Sequence, residues 1–128
     1  MILVDSSIWV DLLRGSGRGP EFAALLRGTE AIGSTEPVLM ELLAGARTDK
    51  EYTQVRSMVM SVDWLGVDPA CDFESAAQIY RSCRQAGITP RGLTDCLIAS
   101  IAIRTESRLM TCDRDFEAMA TIISLTIV

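Results

Sequence analysis

Short apolar runs, each the length of a buried strand, alternate along this chain with longer segments of helical periodicity, and that alternation leaves few folds open. Met1-Ile2-Leu3-Val4 is the first run; further strands are expected around residues 31–33, 62–67 and 108–112, with a closing one at 121–128. Between them the sequence predicts helices through Ile8–Leu13, near 21–27, over 37–46, 49–60 and 73–85, from about Thr94 to Ile103, and another opening at Arg114. Strands joined through helices pair in parallel, so the expected fold is α/β: a three-layer α/β/α sandwich around a mainly parallel, five-stranded sheet. A length of 128 residues makes this a single domain spanning 1–128.

Four acids interrupt these apolar segments. Asp5 closes the first strand, and Asp113 follows the strand ending Met110-Thr111-Cys112 in the same way. Asp95 stands at or just inside the start of its helix, and Glu41 is the only charge in Pro37–Ala46, less than two turns in. In a parallel sheet the crossover helices run back against the strands, so strand C-termini and helix N-termini share one edge. Asp5, Glu41, Asp95 and Asp113 are thereby brought to the edge where open α/β sheets bind ligands. Taken singly, Asp5 can cap a helix, Asp95 suits a helix dipole and Asp113 suits a turn. Glu41 is harder to account for, because a carboxylate in an apolar helix is costly to bury unpaired, although a salt bridge to an arginine would satisfy it.

Composition narrows the chemistry. The chain has no histidine, which removes the usual triads and general bases and leaves carboxylates. Cys71, Cys83, Cys96 and Cys112 are irregularly spaced, so structural zinc is not expected; Cys96 and Cys112 are taken as core fillers in a reducing compartment. A net charge of −5 argues against broad nonspecific nucleic-acid binding, yet eleven of the twelve bases are arginines, suited to forked phosphate contacts. No apolar stretch is long enough to span a membrane and the N-terminus does not resemble a signal peptide, so a cytoplasmic protein is expected. Gly15-Ser16-Gly17-Arg18-Gly19-Pro20 follows a helix rather than a strand and is expected to be a mobile linker, not a phosphate loop. Several carboxylates at one edge repel one another unless cations neutralise them. Hard oxygen ligands suit Mg²⁺ or Mn²⁺, and metal-dependent phosphodiester hydrolysis is the leading reaction class.

Val4-Asp5-Ser6-Ser7, Thr35 through Gly45, Thr94-Asp95-Cys96-Leu97-Ile98-Ala99 and Thr111-Cys112-Asp113-Arg114-Asp115-Phe116 resemble, in order and spacing, the successive motifs of PIN-domain ribonucleases, most closely VapC-type toxins of bacterial toxin–antitoxin pairs. The resemblance spans nearly the whole chain. It implies a PIN-like fold, a Mg²⁺- or Mn²⁺-dependent endoribonuclease acting on RNA, inhibition by a small cognate antitoxin, and a homodimer. Position by position it implies an acidic quartet of Asp5, Glu41, Asp95 and Asp113, with Asp5, Asp95 and Asp113 as metal ligands and Glu41 orienting water or holding a second ion. Asp115 either shares the role of Asp113 or caps the helix before Phe116. Ser7 and Thr111 are candidates to hydrogen-bond the carboxylates, and Arg91 and Arg114 to hold RNA phosphates or to pair with acids. Trp9, Trp64, Met40, Met58 and Met60 are candidates either for an antitoxin groove or for the core.

Two other functions fit an acidic edge. A receiver-type phosphoacceptor domain needs a lysine near the pocket, and the one lysine, Lys50, falls in a polar segment after the Glu41 helix. A noncatalytic module that uses the acidic pocket to bind a partner's basic side chain is the remaining alternative.

Overall fold

Ile2, Leu3 and Val4 form strand β1 (Ile2–Val4), and all three are buried, which requires layers on both faces of the sheet. The computed structural model describes residues 1–128. After β1 come helices α1 (Ser6–Arg14) and α2 (Gly19–Arg27), β2 (Ile32–Ser34), α3 (Glu36–Ala44), α4 (Asp49–Val59) and β3 (Asp63–Trp64). Helices α5 (Asp72–Gln85) and α6 (Leu93–Arg104), β4 (Arg108–Met110) and α7 (Arg114–Met119) complete the chain. The strands pair in the order β3-β2-β1-β4, and every pairing is parallel. Leu3 lies opposite Gly33 on one side and Leu109 on the other, so β1 sits at the centre and its C-terminal end opens between β2 and β4.

The sheet has four strands rather than the five expected. Residues 121–128 contribute one parallel bridge, Leu109 with Ile127. The reason is local: the amides of Thr121, Ile122 and Ile123 bond back to Ala118 and Met119 in turns that extend α7, and Leu125 bonds to Ile123. Only the last residues remain free to meet β4, where Leu109 N–H donates to Thr126 and Val128 N–H to Leu109. Strand β3 is also shorter than its apolar run, because Val67 N–H leaves the ladder for the Glu36 carboxylate at 2.8 Å.

The core gathers Trp9 and Phe22 in an edge-to-face pair, 4.9 Å between centroids, with Leu109, Met110 and Phe116 fully buried. Of the side chains considered for an antitoxin groove, Trp9 is wholly buried, Trp64 and Met58 pack against the core, and Met40 and Met60 are exposed. All four cysteines are free thiols; Cys96 is buried as a core filler, but Cys112 is exposed. Cys112 falls one residue beyond the buried Thr111 at the exit of β4, and its thiol donates to Asp11 Oδ2 at 3.2 Å.

The glycine-rich segment expected to be a mobile linker is a packed turn. Gly15 ends α1 in the left-handed conformation, Arg18 N–H donates to Asp11 Oδ2 at 3.0 Å, and Pro20 stands in the first turn of α2. At Gly17, with φ of 50°, a Cβ would lie 2.3 Å from Asp11 Oδ2, so the glycine allows the loop to close over that carboxylate.

Candidate metal centre

Parallel pairing puts the exits of β1 and β4 side by side, and Asp5 N–H donates to Met110 O at 3.0 Å just beyond them. Asp5 occupies the N-cap position of α1 but its side chain does not cap the helix. Instead Oδ2 accepts from Ser7 Oγ at 2.8 Å and from Thr111 Oγ1 at 2.9 Å. Both bonds fall on one oxygen, and Oδ1 is left for another ligand. Asp5 is 4% exposed, so the two hydroxyls hold this carboxylate in a fixed orientation. Thr111 Oγ1 in turn accepts from Asp113 N–H at 2.9 Å, and Ser7 Oγ accepts from Cys112 N–H at 3.0 Å. These bonds tie the two strand exits into one frame.

Asp113 caps α7, with Oδ1 accepting from Asp115 N–H at 2.9 Å. Asp115, read from sequence as either capping its helix or sharing the role of Asp113, does not cap: its Oδ2 pairs with Arg91 Nε at 2.9 Å. Asp95 lies in the first turn of α6, and no protein donor reaches its carboxylate. One oxygen from each of Asp95, Asp113 and Asp115 lies within 4.8 Å of the others. Asp5 and Glu41 lie outside that triplet but close enough for their charges to be felt. Glu41 sits on the sixth residue of α3, exposed at one edge rather than sunk in an apolar helix surface, with its carboxyl partly shielded from water.

The electrostatics record the crowding. Desolvation, then the charges of Asp5, Asp95 and Asp113, push the Glu41 carboxyl from 4.5 up to about 7. Desolvation, then Asp5, Asp113 and Asp115, push Asp95 from 3.8 up to about 6, with Arg91 opposing. Of the two candidate phosphate-holding arginines, Arg91 is paired with Asp113 and Asp115, whereas Arg114 is exposed and forms no ion pair. Beside Glu41 opens a cavity of about 420 Å³ lined by Ser6, Val10, Arg14 and Leu42 among others.

The donor set fits a hard divalent cation. The converging oxygens of Asp95, Asp113 and Asp115 include an Asp95 carboxylate without a hydrogen bond, and Asp5, outside that triplet, keeps Oδ1 free of protein donors. Both upward shifts give stability a pH signature. The folded protein keeps protons that the unfolded chain releases between pH 3.8 and about 7, so metal-free stability falls as pH rises through that window. In EDTA the Tm is expected to be higher near about pH 5 than near about pH 8, and saturating Mn²⁺ is expected to remove the difference.

Comparison with known proteins places this chain in a wider set. The family model for the PIN domain matches residues 2–122. The chain is 43% identical to ribonuclease VapC11 of Mycobacterium tuberculosis over 128 residues, covering 98% of this chain and 96% of that protein. It is likewise 43% identical to VapC ribonuclease Mb1587 of Mycobacterium bovis, with the same coverage. Among solved structures, VapBC2 from Rickettsia felis bound to a promoter DNA fragment superposes with a TM-score of 0.78 at 22% identity, covering 100% of this chain and 98% of that one. At that identity the superposition shows the fold.

Proposed function

The chain belongs to the PIN-domain family, and from that premise we propose that it is a divalent-metal-dependent endoribonuclease, the toxin of a toxin–antitoxin pair. The observation that carries this reading is the convergence of Asp95, Asp113 and Asp115 within 4.8 Å, against charges from Asp5 and Glu41 and a single paired arginine. Such a cluster destabilises a protein that does not use it. Asp5, Asp95 and Asp113 would hold Mg²⁺ or Mn²⁺, with Asp115 beside them. The ion would supply positive charge to the phosphate oxygens of the scissile bond.

The chain's own residues do the rest. Ser7 and Thr111 fix the face that Asp5 presents. Glu41 stands at the open rim, where its carboxylate orients the attacking water and takes up its proton. Arg114 is free to meet a phosphate of the incoming strand. RNA thus enters across the acidic edge, with the cavity next to Glu41 available to its flanking nucleotides.

The curated relatives bear ribonuclease names, and the structural neighbour from Rickettsia felis is a VapBC assembly, so a small antitoxin is the proposed partner here. A homodimer is proposed as well. Exposed Met40, Phe73 and Leu93 supply an apolar surface beside the acidic edge for protein contact. No helix is long and apolar enough to cross a membrane, and the cytoplasm is the proposed location. Purified protein freed of antitoxin is expected to cut single-stranded RNA with Mg²⁺ or Mn²⁺ and to stop in EDTA. Tight binding of a partner with no cleavage across a broad RNA panel would instead identify a noncatalytic module.

A further inference from the structure

Arg91 is the one arginine paired with the carboxylate cluster. Its Nε donates to Asp115 Oδ2 at 2.9 Å and its Nη2 to Asp113 Oδ1 at 3.3 Å, while its backbone N–H lies 3.4 Å from the same Asp115 oxygen. A fork spanning two of the three clustered acids puts positive charge where a cation would put it. Yet the Arg91 side chain is 77% exposed, so the pair is solvated and cheap to break. Buried Pro90 precedes Arg91, and α6 begins two residues on at Leu93. The guanidinium can leave the acids by side-chain rotation. The other ion-paired arginines, Arg18, Arg104 and Arg108, bond to Glu21, Asp72 and Glu30, outside the cluster.

We propose that Arg91 is a positioning residue that exchanges partners. It bridges Asp113 and Asp115 in the metal-free protein, yields them to a divalent cation, and then holds an RNA phosphate beside the bond to be cut. This rests on the metal-dependent nuclease reading and adds an order of events to it. Cation binding releases the phosphate-holding arginine, so the cation and RNA strengthen each other's binding beyond what direct contact between them provides. By linkage the coupling is reciprocal.

The test measures binding rather than turnover. Mn²⁺ is titrated calorimetrically into the full chain, without RNA, for wild type, Arg91→Ala and Arg114→Ala. Arg91→Ala is expected to bind Mn²⁺ about two- to five-fold more tightly, the range an exposed ion pair is worth. Arg114→Ala, which removes a neighbouring charge that bonds to no acid, is expected to gain less. RNA affinity is then followed by fluorescence anisotropy in a Glu41→Gln background so that the strand survives. There the factor by which Mn²⁺ raises RNA affinity is expected to shrink when Arg91→Ala is added. Equal Mn²⁺ affinity in wild type and Arg91→Ala, equal gains in the two arginine variants, or an unchanged coupling factor would each overturn the exchange. Failure of every variant to bind Mn²⁺ would overturn the metal reading beneath it.

Discussion

Asp5→Asn and Asp95→Asn are each expected to lower RNA cleavage by at least about a thousand-fold while leaving the fold intact. The size follows from the charge stabilisation a catalytic ion provides, several kcal/mol, with each ~1.4 kcal/mol worth a factor of ten. The structure makes the Asp5 substitution sharper than a loss of charge. Ser7 and Thr111 both donate to Oδ2, so the asparagine oxygen is expected to settle there and turn its NH₂ toward the cluster. A donor then faces the cation site in place of an acceptor. For Asp95 the metal-free protein gains stability, because the carboxyl that desolvation and its neighbours push up to about 6 is replaced by a neutral group. Activity and Tm are therefore expected to move apart, and Mn²⁺ affinity to fall with activity. Wild-type cleavage by either variant would sink the assignment of the site.

That site was partly legible because its main step needs no contacts. Strand direction alone sends Asp5 and Asp113 to one edge and the start of the Asp95 helix to the same edge, and the observed parallel order β3-β2-β1-β4 follows that rule. Side-chain partners were not legible. Whether Asp115 joins Asp113 depends on Arg91, twenty-four residues earlier in sequence, crossing to pair with it. The turn at Gly15–Pro20 reads as flexible from composition, and it is Asp11, seven residues before Arg18, that gives its backbone a fixed partner. The fifth strand failed for a related reason: its apolar residues suit a strand, but turns extending α7 take up the amides first.

The costliest carboxylate to bury is also not the one an apolar helix advertises. Glu41 is exposed at the pocket edge, while Asp72, at the polar-looking start of α5, is 0% exposed. Its cost is offset by three partners, two on α6 and one in the segment before α5. Arg104 Nη2 reaches Oδ2 at 2.8 Å, Ser100 Oγ reaches Oδ1 at 2.8 Å, and Asp68 N–H reaches Oδ2 at 2.8 Å. Burial alone would raise the Asp72 carboxyl; Arg104, the Asp68 amide and Ser100 outweigh it and hold it below its ordinary value. The same guanidinium donates to Gly66 O at 2.7 Å, so one side chain joins α5, α6 and the segment after β3.

Arg104→Met is therefore expected to cost about 3–5 kcal/mol, the penalty for leaving a buried charge without its counter-ion. In a domain of this size that lowers Tm by roughly 10–20 °C and consumes much of a typical net stability of about 5–15 kcal/mol. The companion variant Asp72→Asn/Arg104→Met removes the charge while keeping an oxygen for the Asp68 amide and a donor for Ser100, so much of the loss is expected to return. Cleavage per folded molecule at low temperature should be unchanged in both. Arg104 closes α6 nine residues after Asp95, about 13 Å along the helix axis at 1.5 Å per residue. If the double variant melts no higher than Arg104→Met, lost packing of the long arginine stem sets the stability of this face, and the stranded charge does not.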